Sequence, residues 1–125
     1  MLLVMAFFVI THYSHGQQCQ VVINTPSAPC QGKVTAISSS ATQCPVTVGT
    51  VFTVTGTVTP AGSSVTLVPM SGVTLLSAQT VTASGNTASW TVRIDRVSYP
   101  QTPNAYVAPA NCMGNGGTII FGNTP

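Results

Sequence analysis

The residues whose type and spacing point most directly to chemistry are four cysteines, Cys19, Cys30, Cys44 and Cys112. None of them forms the C-x-x-C pair that zinc sites use, so we expect no metal site. An even number of separated cysteines behind a secretory leader is typical of disulfides in a small domain. Four cysteines allow three pairings, and in each of them Cys112 joins one of the three early cysteines. We therefore expect two disulfides, one of which links the last part of the domain to its first third.

The two histidines, His12 and His15, directly follow an unbroken apolar run at residues 2–10. Nine apolar residues fit the hydrophobic region of a secretory signal peptide and are too few to span a membrane, which takes about 20. Ser14 and Gly16 are small residues at the −3 and −1 positions of a cleavage site after Gly16. We predict a signal peptide at residues 1–16, a single domain at 17–125, and a secreted, extracellular protein. The alternative is a buried first strand or short helix.

Cleavage after residue 16 would leave a chain without His or Glu, with Asp95 as its one carboxylate side chain. Nucleophilic triads need a base, usually His, and glycosidases normally use two carboxylates. The glycine-rich stretch at 114–117 lacks the lysine of a phosphate-binding loop and is typical of a flexible turn. The sequence therefore predicts a protein that is not an enzyme, with no catalytic residue and no cofactor.

One covalent reaction fits the order of the remaining polar residues. Some pilin-like sandwiches form a Lys–Asn isopeptide bond assisted by a buried acid, and here Lys33 precedes Asp95, which precedes Asn115 and Asn123. However, strand alternation places Asp95 on the outward face together with Arg93. We therefore expect a solvated ion pair of Asp95 with Arg93 or Lys33 rather than a crosslink.

Charged residues make up 3% of the chain, against about 25% of an ordinary soluble domain. Lys33, Arg93 and Arg96 are the cations, and they form no basic stripe that could bind nucleic acid. A surface with so little charge is covered by neighbouring subunits, covered by glycans, or exposed as a face rich in Ser and Thr. The alternative is that Ser, Thr, Asn and Gln alone keep the domain soluble. Net charge near zero promotes association, which favours assembly.

Alternation of apolar and polar residues predicts strands along most of the mature chain. Two segments show it most clearly, with inward faces formed by Phe52, Val54, Gly56 and Val58 in one and by Ala88, Trp90, Val92 and Ile94 in the other. A threonine ladder forms the outward face of the first, at Thr53, Thr55, Thr57 and Thr59. We expect Trp90 to pack between two sheets.

Weaker patterns complete the predicted fold. Residues 33–38 alternate so that Val34 and Ala36 are expected on one side and Thr35 and Ile37 on the other. Residues 75–82 are expected to form one strand, and the proline-containing residues 100–109 a long irregular connection. No window has a helical period. Seven or eight short strands separated by turns are typical of an antiparallel sandwich or barrel, and we predict an all-β, antiparallel sandwich held by disulfides.

The segments VTVGTVFTVTGTVTPAGSSVTL and SGNTASWTVRI, within residues 46–95, carry a resemblance. In the second of them a turn precedes an aromatic-containing strand, and the chain resembles the immunoglobulin-like β-sandwich modules of extracellular surface and adhesin proteins. The resemblance covers about half of the mature chain. It implies an immunoglobulin-like fold and extracellular display, as in cell adhesion, and it carries over no functional residue.

Two segments are candidates for function. The last predicted strand, Thr118, Ile119, Ile120 and Phe121, follows a glycine-rich turn and could pair with another subunit by strand addition. The alternative is that it completes its own sheet. Because charge, which normally protects strand edges, is nearly absent, we predict a structural subunit of an extracellular matrix, coat or filament that associates with itself.

The second candidate is a loop at residues 99–111, whose recognition residues are Tyr99, Asn104, Tyr106 and Asn111. Tyr and Asn are common in adaptable binding loops, so the loop would make the protein a module that binds carbohydrate or another extracellular surface. The alternative is a connection stiffened by prolines. A third interpretation is that the threonine ladder binds ice or another crystal surface, although it equally fits an ordinary solvent-exposed face.

Overall fold

The computed structural model describes residues 18–26, 29–41, 43–96 and 102–122. The predicted signal peptide at 1–16 lies outside the described residues. The described residues form nine strands and one short 3-10 helix. In chain order they are β1 (Gln20–Ile23), β2 (Lys33–Ser39), β3 (Val51–Thr59), β4 (Ser64–Pro69), β5 (Val73–Leu75), β6 (Thr80–Thr82), β7 (Thr87–Ile94), β8 (Asn104–Pro109), the 3-10 helix (Met113–Asn115) and β9 (Gly117–Ile120).

These strands form two sheets in which every pairing is antiparallel. The five-stranded sheet has the order β1-β9-β8-β4-β6, and the four-stranded sheet has the order β2-β3-β7-β5. The predicted all-β, antiparallel sandwich is therefore confirmed. The described residues contain more strands than the seven or eight expected, because β8 was not predicted and one predicted strand, 75–82, is divided into two. The predicted range contains only the last residue of β5, Leu75, and all of β6, and these two strands belong to different sheets.

The core lies between the two sheets, and the two clearest sequence patterns supply its centre. Strand β3 pairs with β7 so that Val54 lies opposite Trp90 and Phe52 opposite Val92. All four predicted inward residues of β7 are buried, and Val54 and Trp90 are at most 1% exposed. The indole Nε1 of Trp90 donates a hydrogen bond of 2.9 Å to the carbonyl oxygen of Gln79. The predicted packing of Trp90 between the sheets is confirmed.

Strand β2 does not have the predicted faces. The pairing of β2 with β3 shifts between Val34 and Ala36, which is a β-bulge. Because the bulge adds one residue, Val34 and Ile37 both point into the core and are 2% and 7% exposed, while Thr35 and Ala36 are exposed. The expectation of Val34 beside Ala36 and Thr35 beside Ile37 was therefore wrong.

Two other predictions also need correction. Residues 104–109 form strand β8 in the middle of the five-stranded sheet rather than an irregular connection. The stretch 114–117 is a tightly packed segment and not a flexible turn: Asn115 in the 3-10 helix is 2% exposed, and its side-chain amide donates to the Gly32 carbonyl at 2.9 Å. A Cβ atom at Gly117 would lie 2.7 Å from Ile23 Cδ1, so glycine allows β1 and β9 to approach closely.

The disulfides are Cys19–Cys44 and Cys30–Cys112, with Cα atoms 5.1 and 5.9 Å apart. The first joins the start of β1 to the segment before β3. The second joins the connection between β1 and β2 to the connection between β8 and β9, which confirms the expected link between the late part of the domain and its first third. Two disulfides and no free cysteine indicate folding in an oxidising environment. No helix in the described ranges is long and apolar enough to cross a membrane.

Candidate functional site

The structure does not bring the four predicted binding-loop residues together. Asn104 and Tyr106 lie in β8, and Asn111 follows the opposite end of that strand. At about 3.4 Å per residue, Asn104 and Asn111 are on the order of 20 Å apart. Tyr99 lies outside the described residues. The expectation of a loop containing Asn104, Tyr106 and Asn111 was therefore wrong, because the chain here forms a strand.

Tyr106 has its polar group engaged within the chain. Its hydroxyl donates a hydrogen bond to the Met113 carbonyl oxygen and accepts one of 3.2 Å from the Asn24 side-chain amide. These contacts hold the ring between the 3-10 helix and the end of β1. The other aromatic side chains in the described part of the chain, Phe52, Trp90 and Phe121, are buried. A carbohydrate platform with several stacked rings is therefore not built by the described residues.

The predicted strand-exchange segment lies inside a sheet. Strand β9 pairs with β1 on one side and with β8 on the other, so both of its edges are occupied within one chain. Ile119 and Phe121 are at most 1% exposed, and the Phe121 ring packs edge-on against Phe52 with centroids 5.1 Å apart. Thr118 and Ile120 face outward. In this structure the segment completes its own sheet, which was the alternative interpretation, and the sheet edge on this side belongs to β1.

The outer face of the five-stranded sheet carries the most unusual surface of the described residues. The pairing register aligns one row of side chains across four strands: Val22, Thr118, Tyr106 and Val68. Ile120 lies beside this row, opposite Gln20 and Asn104. None of the five strands contains Asp, Glu, Lys or Arg. We call the outward side chains of Val22, Val68, Tyr106, Thr118 and Ile120 the uncharged face.

The four-stranded sheet has a different outer surface. On it Thr53, Thr55 and Thr57 of β3 lie opposite Thr91, Ser89 and Thr87 of β7. The hydroxyls of Thr55 and Ser89 share a hydrogen bond of 3.1 Å. These six side chains form a regular array that we call the hydroxyl face. Because strands are about 4.8 Å apart and alternate residues about 7 Å apart, the array has a fixed rectangular spacing.

The charged side chains lie at the ends of the four-stranded sheet. Arg93 and Asp95 form an ion pair of 2.9 Å, and the Thr74 hydroxyl also donates to Asp95. Arg93 lies opposite the first residue of β3, whereas Lys33 lies opposite the last, Thr59. The two ends of β3 are eight residue steps apart, which places Arg93 and Lys33 about 27 Å from each other. Asp95 therefore cannot assist a crosslink at Lys33, and the expected pair with Arg93 is confirmed. Asn123 lies outside the described residues.

The grooves on the described surface are open and small: two of about 330 and 350 Å³ lie beside the start of β3 and beside Ala110 and Asn111. A shallow groove of about 240 Å³ runs between the edges of β1 and β2, with Val21, Ile37 and Ile119 at its base. Pockets for drug-sized ligands are usually about 300–1,000 Å³. In the part of the chain that the structure describes, no three His, Cys, Asp or Glu side chains are grouped so that they could hold a metal ion.

The pH dependence of stability follows from the single side-chain carboxylate. The hydrogen bond from Thr74 and then that from Arg93 lower the pKa of Asp95 below its usual value. A lowered pKa stabilises the fold above the ordinary pKa of the group, and that contribution is lost as the pH falls through the lowered pKa. Asp95 is exposed, so its effect is small.

We therefore expect the thermal midpoint of the mature chain to shift by less than about 4 °C between pH 5 and pH 8. The mature chain would contain no histidine, and its one acidic side chain titrates below this range. Calorimetry of the oxidised protein at several pH values checks this. A steep change near pH 6.5 would mean that His12 and His15 are retained, since only histidine side chains ordinarily titrate there.

Comparison with known proteins leaves the function to be argued from these surfaces. No protein family model matches the chain, and neither a curated protein nor a solved structure is significantly similar to it. The resemblance to immunoglobulin-like modules stays a prediction, and what the structure establishes is a disulfide-linked, two-sheet sandwich with an uncharged face and a hydroxyl face.

Proposed function

We propose that the mature chain is a secreted, non-catalytic structural protein that associates with other copies of itself in an extracellular matrix, coat or filament. The observation that carries this proposal is the uncharged face. Charged side chains spread over the surface normally keep a soluble domain from associating, and the five-stranded sheet has none in its strands. A second copy is the occupant that matches this face best, because two uncharged faces meet without like-charge repulsion.

The exposed apolar side chains on and next to this face support the same proposal. Val22 is 48% exposed and Met70, which follows β4, is 46% exposed. Their contact with water is lost if the faces of two copies stack, and burial of apolar surface stabilises by about 25 cal/mol per Å². The two disulfides and the predicted leader support the extracellular location.

The test compares one charge placed on each outer surface. Thr118 and Thr55 are both half-buried, outward-facing threonines in interior strands. T118K and T55K should therefore lower the free energy of unfolding of the monomer by similar amounts. We expect T118K to prevent this stacking and with it the growth of large particles, because each stacked interface would contain two lysines. T55K should assemble like the unsubstituted protein.

Light scattering over a concentration series measures this difference. Circular dichroism of both variants shows that the sandwich is intact. Equal assembly of T118K and the unsubstituted protein would show that the uncharged face is not the interface.

The hydroxyl face supports a second candidate, a module that binds carbohydrate or another hydroxylated surface. Six regularly spaced Thr and Ser side chains can donate and accept hydrogen bonds to a flat ligand. Glycan-array binding that T55K removes and T118K leaves intact would favour this function over assembly. A thermal-hysteresis assay with the same two variants tests an ice surface as the ligand.

A further inference from the structure

Among the described residues the sandwich has four edge strands, and three of them carry features that discourage pairing with another chain. β2 contains the bulge and begins with Lys33, and β5 and β6 are three residues long. Charges, bulges and short length are the usual protections of sheet edges. β1 has four residues, Gln20–Ile23, without a charge, a proline or a bulge. No other described strand pairs with its second edge.

The hydrogen-bond pattern identifies which backbone groups of β1 point to that edge. The Asn24 amide donates to the Gly116 carbonyl at 2.9 Å, which continues the β1–β9 register. Because antiparallel pairs alternate, the N–H and C=O groups of Val22 face β9, whereas those of Val21 and Ile23 face away. On the other side of β9, the Phe121 amide donates to the Pro103 carbonyl next to β8. By the same alternation, the backbone groups of Thr118 and Ile120 face β1, which agrees with Val22 facing β9. Val21 and Ile23 therefore present a short row of backbone donors and acceptors.

We propose that β1 pairs antiparallel with β1 of a second copy about a two-fold axis at Val22. Val21 of one copy then lies opposite Ile23 of the other, and their free backbone groups bond to each other. The two five-stranded sheets become one continuous sheet of ten strands. This proposal rests on the proposed function, because it names the first step by which copies associate.

The side chains of β1 fit this partner. At the two-fold axis Val22 meets Val22 of the second copy in a non-hydrogen-bonded pair, where Cα atoms are about 4.5 Å apart. Val22 is 48% exposed in the monomer, and the pair shields both side chains from water. A strand that pairs with its own copy also forms a closed dimer. The absence of charge on β1 removes the repulsion that would otherwise separate identical edges.

The direct test changes the backbone of β1 without changing the uncharged face. The N–H of Val21 is not used by β9, so V21P removes an edge donor and retains the intrachain hydrogen bonds. V21A removes at least as much of the packing of the Val21 side chain as V21P does, but it keeps the backbone N–H. V21A is therefore the matched control. We expect V21P to weaken dimerisation by at least about tenfold, because two intermolecular hydrogen bonds are lost. V21A should remain a dimer in sedimentation equilibrium.

A second variant tests the two-fold axis and does not depend on the tolerance of proline. V22C, made together with T118K to prevent stacking of the uncharged faces, should form an intermolecular disulfide, seen as a dimer on a non-reducing gel and as a peptide linked at position 22. V51C is the control, since Val51 is similarly exposed, at 54%, but lies in an interior strand. Equal crosslinking of V22C and V51C, or equal dimerisation of V21P and V21A, would overturn the proposal.

The two proposals fail in different ways. If V21P remains dimeric and T118K still blocks larger particles, edge pairing is wrong and assembly through the uncharged face stands. If V21P produces monomers but T118K assembles normally, the edge dimer stands and the uncharged face is not the assembly surface.

Discussion

Replacing Cys30 and Cys112 together by alanine is expected to lower the free energy of unfolding by about 4 kcal/mol. The disulfide joins residues 82 positions apart and ties the connection before β2 to the segment before β9. Closing so long a loop removes much of the conformational entropy of the unfolded chain. The loss is a large share of the stability of a domain this size, usually about 5–15 kcal/mol, so we expect a clearly lowered urea midpoint.

Urea denaturation of the double variant C30A/C112A measures this effect, and C19A/C44A is the comparison. The Cys19–Cys44 pair is separated by 25 positions, so its removal should cost about 1 kcal/mol less in the same chain-entropy model. If C19A/C44A were the more destabilised of the two, loop length would not be the main reason that the disulfides stabilise the fold. Attachment of β1 to the rest of the sandwich would then be the better explanation.

Replacing Trp90 by alanine is expected to destabilise the fold by about 3–5 kcal/mol. The ring is 1% exposed between the two sheets, and its removal leaves a cavity next to Val54. The carbonyl of Gln79 also loses the indole donor that it accepts from at 2.9 Å. Urea denaturation at neutral pH, followed by far-ultraviolet circular dichroism, gives the change.

Two controls separate the causes. T91A alters the adjacent outward residue and should change stability by about 0.5 kcal/mol or less. W90F keeps most of the ring volume and removes the hydrogen bond, so it should fall between T91A and W90A. A W90A variant as stable as T91A would show that the space between the sheets closes around the missing ring.

The parts of the fold that sequence predicted are those in which neighbouring residues decide the structure. Strands β3 and β7 alternate over their whole length, so Val54 and Trp90 could be assigned to the core before any pairing was known. The β2 faces could not be assigned, because the bulge between Val34 and Ala36 arises from pairing with β3. A one-residue insertion of this kind reverses every later side chain.

Other features depend on contacts between distant segments. Prolines at 100, 103 and 109 favoured an irregular connection, yet residues 104–109 pair with strands on both sides. The disulfide pairing likewise depends on the fold, since any of three pairings satisfied the cysteine count.

The strand available for pairing with another copy also differs from the predicted one, because it depends on contacts between distant segments. Apolar residues at 119–121 suggested a strand available for exchange, but the sheet order places β9 between β1 and β8. Which strand forms an edge is a property of topology and not of local sequence. The small number of charged residues was visible in the composition. That none of them lies in the strands of the five-stranded sheet could be seen only from the sheet order.

Sedimentation equilibrium of the oxidised, mature protein over a concentration series is the most direct test of self-association. At neutral pH and physiological salt we predict a mass that rises from monomer to dimer and then to larger species. Salt should not dissociate these species, because the contacts contain no ion pairs. A single monomeric mass up to about 1 mM, the weakest range of specific binding, would contradict both the assembly function and the β1 dimer.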